Sequence, residues 1–582
     1  MNYLKRLVPY LKVYRKKIYI GFLVIFLGAI FTNIIPLIIA SAIDIVKARM
    51  DYSVLISKAL FTLGSAVMSG IFLYFTRQTI IIVSREIEND LRNDFLKKIE
   101  EQDLNYFHYH PTGEVMALAT NDIPAVRNFL GPGIMYSSET IINFLMAISL
   151  MLSLNVQLTI VAVIPIPLIS YIVYRVGKAV NYKFEKVQTQ FADLTTKAQE
   201  TLSGVKVIKS YVREKTEEEN FKKYSLDYQR KNMALAKVQS FSFPMMFFLT
   251  GISVVITLFV GGNKVIDGSL TLGELTAFII YLGLLTWPMI AFGWIVNLTQ
   301  RANASMLRLS KVFDSVPDIN DTEITDNSIT ELKGEIEFRN TTFRYSDVLP
   351  VVLEGINFKI EQGETIGVIG HTGSGKSTLV NLIPRLFDTI DGEILIDGVN
   401  IKKIPLGVLR RSIGYVPQET FLFSDTIENN IAYGHDKMPK DKIIGYAKIS
   451  QMYKDIDMMP KRFDTILGER GINLSGGQKQ RTSIARALAI DPKILILDDA
   501  FSAVDTYTEE EILSGLKDVM KQRTTILISH RVSTLKNSDR IIVLKNGKIA
   551  ETGTHEALIQ QEGIYADIYF KQLLEQELEK LE

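Results

Sequence analysis

The chain has 582 residues, 65 Lys plus Arg against 64 Asp plus Glu, and no cysteine. That length exceeds one ordinary domain. The balanced charge gives no electrostatic handle for nucleic acid, and the missing thiols exclude disulfides, iron–sulfur clusters and thiolate metal sites. Apolar residues make up 47%, but this averages two unlike halves: long apolar runs up to about residue 300, then a soluble α/β pattern.

Residues 1–17 are basic and amphipathic, with Lys5, Arg6, Lys12, Arg15, Lys16 and Lys17 set among Tyr3, Leu4, Leu7, Tyr10, Leu11 and Tyr14. This pattern suits a helix lying on the inner membrane surface. No small-residue cleavage site follows the first apolar run, which reads as an anchor rather than a removable signal. A spanning helix needs roughly 20 apolar residues. Six stretches qualify: Ile18 to Ile43, Val54 to Ile82, Ile134 to Leu154, Leu158 to Val176, Phe241 to Val265 and Leu272 to Val296. The first, third and fifth connectors are short. The second and fourth are long and rich in Lys and Arg, which places them, both termini and the C-terminal half on the cytoplasmic side.

The long connectors lack glycine and proline over extended stretches. A helix from Val54 to about Asn105 would be roughly 75 Å long, against about 30 Å of hydrocarbon, so these helices run far into the cytoplasm. Two turn-bearing segments, Pro111 to Glu114 and Thr201 to Lys206, are expected to carry short cross-helices at the hairpin tips. Asn33, Glu139, Asn143, Glu274 and Asn297 are polar groups within the spans, where such groups face a cavity or a partner. Glu139 is either a cavity residue or a packing carboxyl. Trp287, Trp294, Phe247 and Phe248 either line an apolar cavity or pack and anchor. Pro36, Pro165, Pro167, Pro244 and Pro288 are potential kinks.

Residues 305–334 are polar and turn-rich and read as a linker between a membrane domain (1–304) and a soluble domain (335–582). Glu335 to Arg339 begins an alternating strand pattern. Tyr345 is an aromatic that could stack on an adenine. Gly370-His371-Thr372-Gly373-Ser374-Gly375-Lys376-Ser377 is a G-x-x-x-x-G-K-S loop, preceded by the β-type run Thr365 to Ile369 and followed by a helix pattern opening at Thr378. Glycines let backbone N–H groups wrap an anion, the helix start adds a positive dipole end, Lys376 reaches phosphate, and Ser377 ligates Mg²⁺. Gln418 follows a strand-like run and could reach Mg²⁺ or the attacking water.

Leu474-Ser475-Gly476-Gly477-Gln478 opens a helix and forms a second anion site from a serine hydroxyl and free N–H groups. Ile494 to Leu497 is a buried strand pattern ending in Asp498, placed to hold Mg²⁺, and Asp499, placed to orient water. Ser502 to Asp505 follows as a loop. Thr525 to Ser529 is another buried strand, ending at His530, which could contact a γ-phosphate.

In this order, Tyr345, Gly370 to Ser377, Gln418, Leu474 to Gln478, Ile494 to Asp499, Ser502 to Asp505 and His530 resemble the motif set of an ABC ATPase. With six spans ahead of it, the whole chain resembles an ABC exporter half-transporter of the multidrug and lipid-flippase type. The implied fold is a six-span α-helical membrane domain with long cytoplasmic extensions, followed by an α/β P-loop ABC ATPase domain.

The resemblance implies ATP and Mg²⁺ as ligands. Nucleotide would be bound by Tyr345, Gly370, Thr372, Gly373, Ser374, Gly375, Lys376, Ser377 and Thr378, and across a dimer by Ser475, Gly476, Gly477, Gln478 and Asp505. Ser377, Gln418 and Asp498 would hold the metal; Asp499, His530, Gln418 and Lys376 would do the catalysis. It implies a second half-transporter as partner, membrane lipid and a small amphipathic cargo as contacts, and a multi-pass place in a cell (inner) membrane. Thr112 to Glu114 and Ser203 to Lys209 resemble the family's coupling-helix regions, and Thr465 to Gly471 resembles the exporter loop that touches them.

One departure stands out: the family has glutamate after the strand aspartate, and this chain has Asp499. Its carboxylate falls about 1–1.5 Å short, a misplacement that can cost about a hundredfold in rate. That favours a heterodimer, in which this chain supplies a weak site and an intact signature, over a homodimer. The rival readings are a homodimeric lipid flippase and an ATP-gated channel or sensor.

Overall fold

The computed structural model describes residues 3–49, 51–435 and 437–579, leaving aside the side chains at 166–170, 173, 174, 242, 243, 246, 249, 289, 290, 576 and 579. The chain divides into two compact units. One comprises residues 1–100 and 112–315; the other comprises 101–111 and 316–582.

The first unit is all helical. Among the described residues, four helices are long and apolar enough to cross a membrane: Arg15–Lys47, Tyr52–Glu100, Thr112–Leu154 and Leu272–Asp314. The expected fourth and fifth spans fall on the helices Val156–Val163, Pro165–Ser203 and Glu214–Ile266, partly over residues whose side chains lie outside the description, so the structure carries several apolar helices rather than a count of six. Pro36, Pro244 and Pro288 sit inside helices, and Pro165 opens one. The side chain of Pro167 lies outside the described residues.

Three polar residues within the helices are joined across them, although Asn33 Oδ1 itself is buried without a partner. Asn33 Nδ2 donates to Asn143 Oδ1 at 2.7 Å, and Tyr281 Oη donates to the Asn33 carbonyl at 2.7 Å. A buried amide left unpaired would cost about 1–3 kcal/mol, so this triad pins three helices together. Glu274 differs from its expected place among intramembrane polar groups: it closes a capping box with Thr271 at the start of Leu272–Asp314, satisfying end N–H groups. Glu139 is half-buried; Asn297, Trp287, Trp294, Phe247 and Phe248 are exposed.

The basic N-terminal segment is docked on protein. Tyr10 Oη donates to Asp94 (2.6 Å), Tyr14 Oη to Asp90 (2.9 Å) and Lys17 Nζ to Glu86 (2.6 Å), three acids spaced four apart along one helix face. Arg6 pairs with Asp314 at 2.6 Å. Nearby, buried Glu88 gathers Arg85, Arg92 and Arg127, and Asp122 accepts from Arg308 and Ser305.

The short helices fall partly elsewhere than expected. The first is Leu104–Tyr109, with Asp103 capping the Tyr106 N–H, and it lies before Pro111. Thr112 to Glu114 instead start the next long helix, because proline ends one helix and readily precedes another. The second is Val205–Ser210. The last long helix runs on to Asp314, so residues 305–314, polar enough to read as linker, are helical.

The second unit is α/β. Strands β1 (Ile336–Phe343), β2 (Leu353–Ile360), β4 (Asp391–Ile396) and β5 (Val399–Asn400) form an antiparallel sheet in the order β2-β1-β4-β5. Strands β3 (Thr365–Gly370), β6 (Ile413–Val416), β7 (Ile494–Asp498), β8 (Thr524–Ile528), β9 (Arg540–Lys545) and β10 (Lys548–Gly553) form the second, in the order β10-β9-β3-β8-β7-β6. All of its pairings are parallel except β9 with β10. Strands β3, β7 and β8 are buried along their whole length, which explains their unbroken apolar sequences.

Gly273 packs the start of the last long helix against the end of the first: Asp44 accepts the Gly273 N–H at 2.9 Å, and a Cβ there would collide with the Ala40 carbonyl. Gly273→Ala is expected to destabilise the membrane unit by about 1–3 kcal/mol, read as a lower unfolding midpoint of the detergent-purified protein. An unchanged midpoint would contradict the contact.

Candidate nucleotide site

The parallel register brings the sequence motifs to one edge. Val368 pairs with Ile528, Ile528 with Asp498, and Val416 with Leu497. The glycine loop, Asp498–Asp499, Ser529–His530 and Gln418 therefore all leave the carboxyl ends of neighbouring strands, where open α/β sheets bind ligands.

The loop 370–377 turns through Gly373 (φ 82°) and Gly375 (φ 100°). At Gly375 a side chain would also strike Leu353. Lys376, the first residue of the helix Lys376–Leu382, folds back so that Nζ donates to the carbonyls of Gly370 (2.8 Å) and His371 (3.2 Å). Burial pulls its pKa below the ordinary lysine value, with Asp499 and Asp498 pulling the other way. Ser374 Oγ is buried without a hydrogen-bond partner, a cost that an arriving phosphate oxygen would remove. A buried cation, an orphaned hydroxyl and a helix start around one loop fit a phosphate.

Ser377 Oγ donates to Asp498 Oδ1 at 3.2 Å. Asp498 is 1% exposed; burial pushes its pKa up to about 6, Ser377 and Lys376 opposing and Asp499 adding to the rise. A desolvated carboxylate beside a hydroxyl is an all-oxygen donor pair suited to Mg²⁺. Asp499 has φ 45°, a left-handed geometry that aspartate tolerates better than most residues; its N–H donates to the Ile528 carbonyl at 3.0 Å, and its Oδ2 lies 3.2 Å from His530 Nε2. The His530 carbonyl accepts from Gln572 at 2.6 Å. Gln418 stands exposed in the loop after β6.

Tyr345 packs edge-on against Phe343 and Phe387, with ring centroids 5.0 and 5.2 Å apart, and its hydroxyl lies 2.9 Å from Thr378 Oγ1. Aromatic neighbours and a link to the phosphate-loop helix thus fix this ring. Thr372 is exposed.

The helix Gly476–Ala489 opens with a capping box. Ser475 Oγ accepts the Gln478 N–H (3.3 Å), and Gln478 Oε1 accepts the Ser475 N–H (3.0 Å). Gln478 Nε2 and Arg481 both reach Asp455, at 2.9 and 2.7 Å. Asp505 caps the helix Thr506–Met520 by accepting the Thr508 N–H at 2.9 Å, and that bond holds its carboxyl below its usual pKa.

Two residues to which the sequence assigns no role of their own join these motifs. Gln480 and Gln572 make the bonds that set the loops' positions. Gln480 has a sequence signal, four residues after Gly476 on the same helix face; Gln572 has none.

The chain matches the family of the ABC transporter transmembrane region over residues 18–289 and the ABC transporter family over 353–502. It is 35% identical over 569 residues, 98% of this chain and 97% of the other, to the uncharacterized ABC transporter ATP-binding protein YknU of Bacillus subtilis (strain 168). It is 36% identical over 88% of its length and 87% of the other's to the multidrug resistance-like ATP-binding protein MdlA of Escherichia coli (strain K12). It is 34% identical over 99% and 95% to the ATP-dependent lipid A-core flippase of Syntrophus aciditrophicus (strain SB). The fold superposes on a bacterial Atm1-family ABC exporter with ATP bound, with TM-score 0.81 and 26% identity, covering 96% of this chain and 99% of that one.

Gly477 is where the signature helix presses closest to the loop after β7: a Cβ there would lie 2.8 Å from the Ala503 carbonyl oxygen. Gly477→Ala is expected to lower the stability of the ATPase unit by about 1–3 kcal/mol and to slow hydrolysis, measured by thermal unfolding and phosphate release. A fully stable, fully active variant would show that this approach is not required.

Proposed function

The chain belongs to the ABC transporter family, and from that premise we propose that it is one half of a dimeric exporter, most simply a heterodimer, that moves amphipathic or hydrophobic molecules. It is a multi-pass membrane protein whose ATPase is coupled to transport. In the proposed dimer, ATP is enclosed between the glycine loop of one chain and the Ser475–Gln478 signature of the other, and Asp505 lies at the same seam. Enclosure turns the membrane cavity outward, and hydrolysis resets it.

The observation that carries this reading is the convergence of Lys376, orphaned Ser374 and the Ser377–Asp498 pair at one strand edge. Gly370, Thr372, Gly373, Gly375 and Thr378 complete the phosphate cradle, and Tyr345 presents a ring to the adenine. Ser377, Asp498 and Gln418 would hold Mg²⁺, which would supply neutralisation of the negative charge on the phosphates. Asp499, oriented by His530, accepts a hydrogen bond from the attacking water, and Gln418 helps to place that water.

The heterodimer reading rests on Asp499. Its shorter carboxylate leaves this chain's own site slow, while its intact signature completes a faster site on a partner bearing Glu at the matching position. A homodimeric flippase is the second reading, favoured by the 34% identity to a lipid A-core flippase. The Lys and Arg bias of the long connectors supports both termini on the cytoplasmic side, and the half-transporter architecture resembles that of transporters in a cell (inner) membrane.

Lys376→Ala should abolish ATP binding at this chain's own glycine loop, measured by photo-crosslinking of an ATP analogue to this chain in the assembled transporter; undiminished labelling of this chain would end the proposal. Purified without a partner, the chain should hydrolyse ATP slowly. Asp499→Glu should raise hydrolysis at this chain's own site by up to about a hundredfold, which in the complex appears as a rise of up to roughly twofold in total turnover. Brisk hydrolysis by the unmixed wild type would instead favour the homodimer.

A further inference from the structure

Gln480 carries an arrangement that the nucleotide chemistry does not use directly. It is 4% exposed and sits one turn into the signature helix Gly476–Ala489. Its Nε2 donates to Ser502 Oγ at 2.8 Å and to the Asp499 carbonyl at 3.3 Å, and its Oε1 accepts the Ala503 N–H at 2.9 Å. One amide thus holds three consecutive features of the loop after β7: the backbone of Asp499, the side chain of Ser502 and the backbone of Ala503.

The same helix face is pressed against that loop independently of the amide. A Cβ at Gly476 would lie 3.1 Å from Ala503 Cβ, and one at Gly477 would lie 2.8 Å from the Ala503 carbonyl oxygen. Helix and loop therefore meet without an intervening side chain, and a shift of one by a few tenths of an ångström must move the other. The far end of each element is also fixed: Ser475 and Gln478 close the helix start, and Asp499 Oδ2 meets His530.

We propose that Gln480 is a positioning residue that joins the two ATP sites through a single chain. The inference rests on the enclosed-ATP dimer described above. In that dimer the Ser475 end of the helix serves the partner chain's nucleotide, while Asp499 serves the chain's own. Gln480 is then the rigid link by which engagement of one nucleotide sets the Asp499 carboxylate against the other. A buried amide with its hydrogen bonds satisfied transmits displacement because breaking those bonds leaves polar groups unpaired.

The test is a mutant cycle on the full-length transporter, reading phosphate release in liposomes. Ser475→Ala perturbs the signature, Asp499→Glu perturbs the carboxylate, and the pair is measured with Gln480 intact and again with Gln480→Glu. Glutamate keeps the length and the acceptor for Ala503 but loses the donor to the Asp499 carbonyl. With Gln480 intact the rate of the double variant should depart by about fivefold or more from the sum expected of two independent sites (the two single-variant rates less that of the parent); with Gln480→Glu it should equal that sum.

Non-additivity that survives Gln480→Glu overturns the proposal, as does independence with Gln480 in place. A merely structural role would lower the unfolding midpoint and leave the coupling intact, which also overturns it. Should Gln480→Glu not fold, Ser502→Ala removes the shortest of the three bonds and is expected to weaken the coupling. If Ser475→Ala alone leaves turnover unchanged, the enclosed-ATP reading itself is wrong, and the proposal falls with it.

Discussion

The register of three buried parallel strands governs everything else in the ATPase unit. Because Val368, Ile528 and Asp498 lie side by side across β3, β8 and β7, the residues that follow each strand are delivered to one edge with little freedom. A one-residue slip in any strand would reverse its side chains and carry Asp498 away from Ser377. The apolar runs lock the register from both faces, so the polar residues at their ends need no local preference for their positions. The same burial makes those ends electrostatically poised: Asp498 is desolvated upward and Lys376 downward, two adjustments that an Mg²⁺–phosphate pair would reverse.

The phosphate loop, the strand ending at Asp498 and the signature helix were legible from the sequence because each joins a periodic apolar run to a glycine or capping signal. The ABC ATPase and exporter resemblance drawn from them agrees with the family matches and the superposed fold. Gln572 was not legible, because its bonds to His530 and Val532 span 42 and 40 residues and no local pattern encodes them. Tyr345 was legible as an aromatic but not as a fixed one; Phe343 and Phe387 come together around it only through the antiparallel sheet and the turn after the phosphate-loop helix.

In the membrane unit the sequence located helices better than their ends. Glycine- and proline-free stretches do mark long helices, but a helix starts where its first-turn N–H groups find acceptors. The Thr271–Glu274 box supplies two ahead of the last long helix; in the other unit, Asp103 supplies one ahead of Leu104–Tyr109. Glu274 looks intramembrane by hydropathy and is a cap by geometry; the distinction is whether the following or the preceding residues are helical, which a window average blurs. The basic N-terminal segment is ambiguous for a related reason. Amphipathicity shows that one face is polar, and only the acidic row Glu86, Asp90 and Asp94 shows that protein can satisfy it.

Asp499 ties these levels together. Its backbone is held in a left-handed conformation by the Ile528 carbonyl and by Gln480 on its own carbonyl, while its short side chain reaches His530. Backbone fixation removes the freedom by which a loop could move forward to compensate for a missing methylene. A shorter carboxylate on a mobile loop would cost little; on a loop clamped at this many points, under the proposed heterodimer reading, the shortfall would persist into the reacting geometry. The clamp on the backbone, as much as the identity of the side chain, is therefore what would make this a slow site.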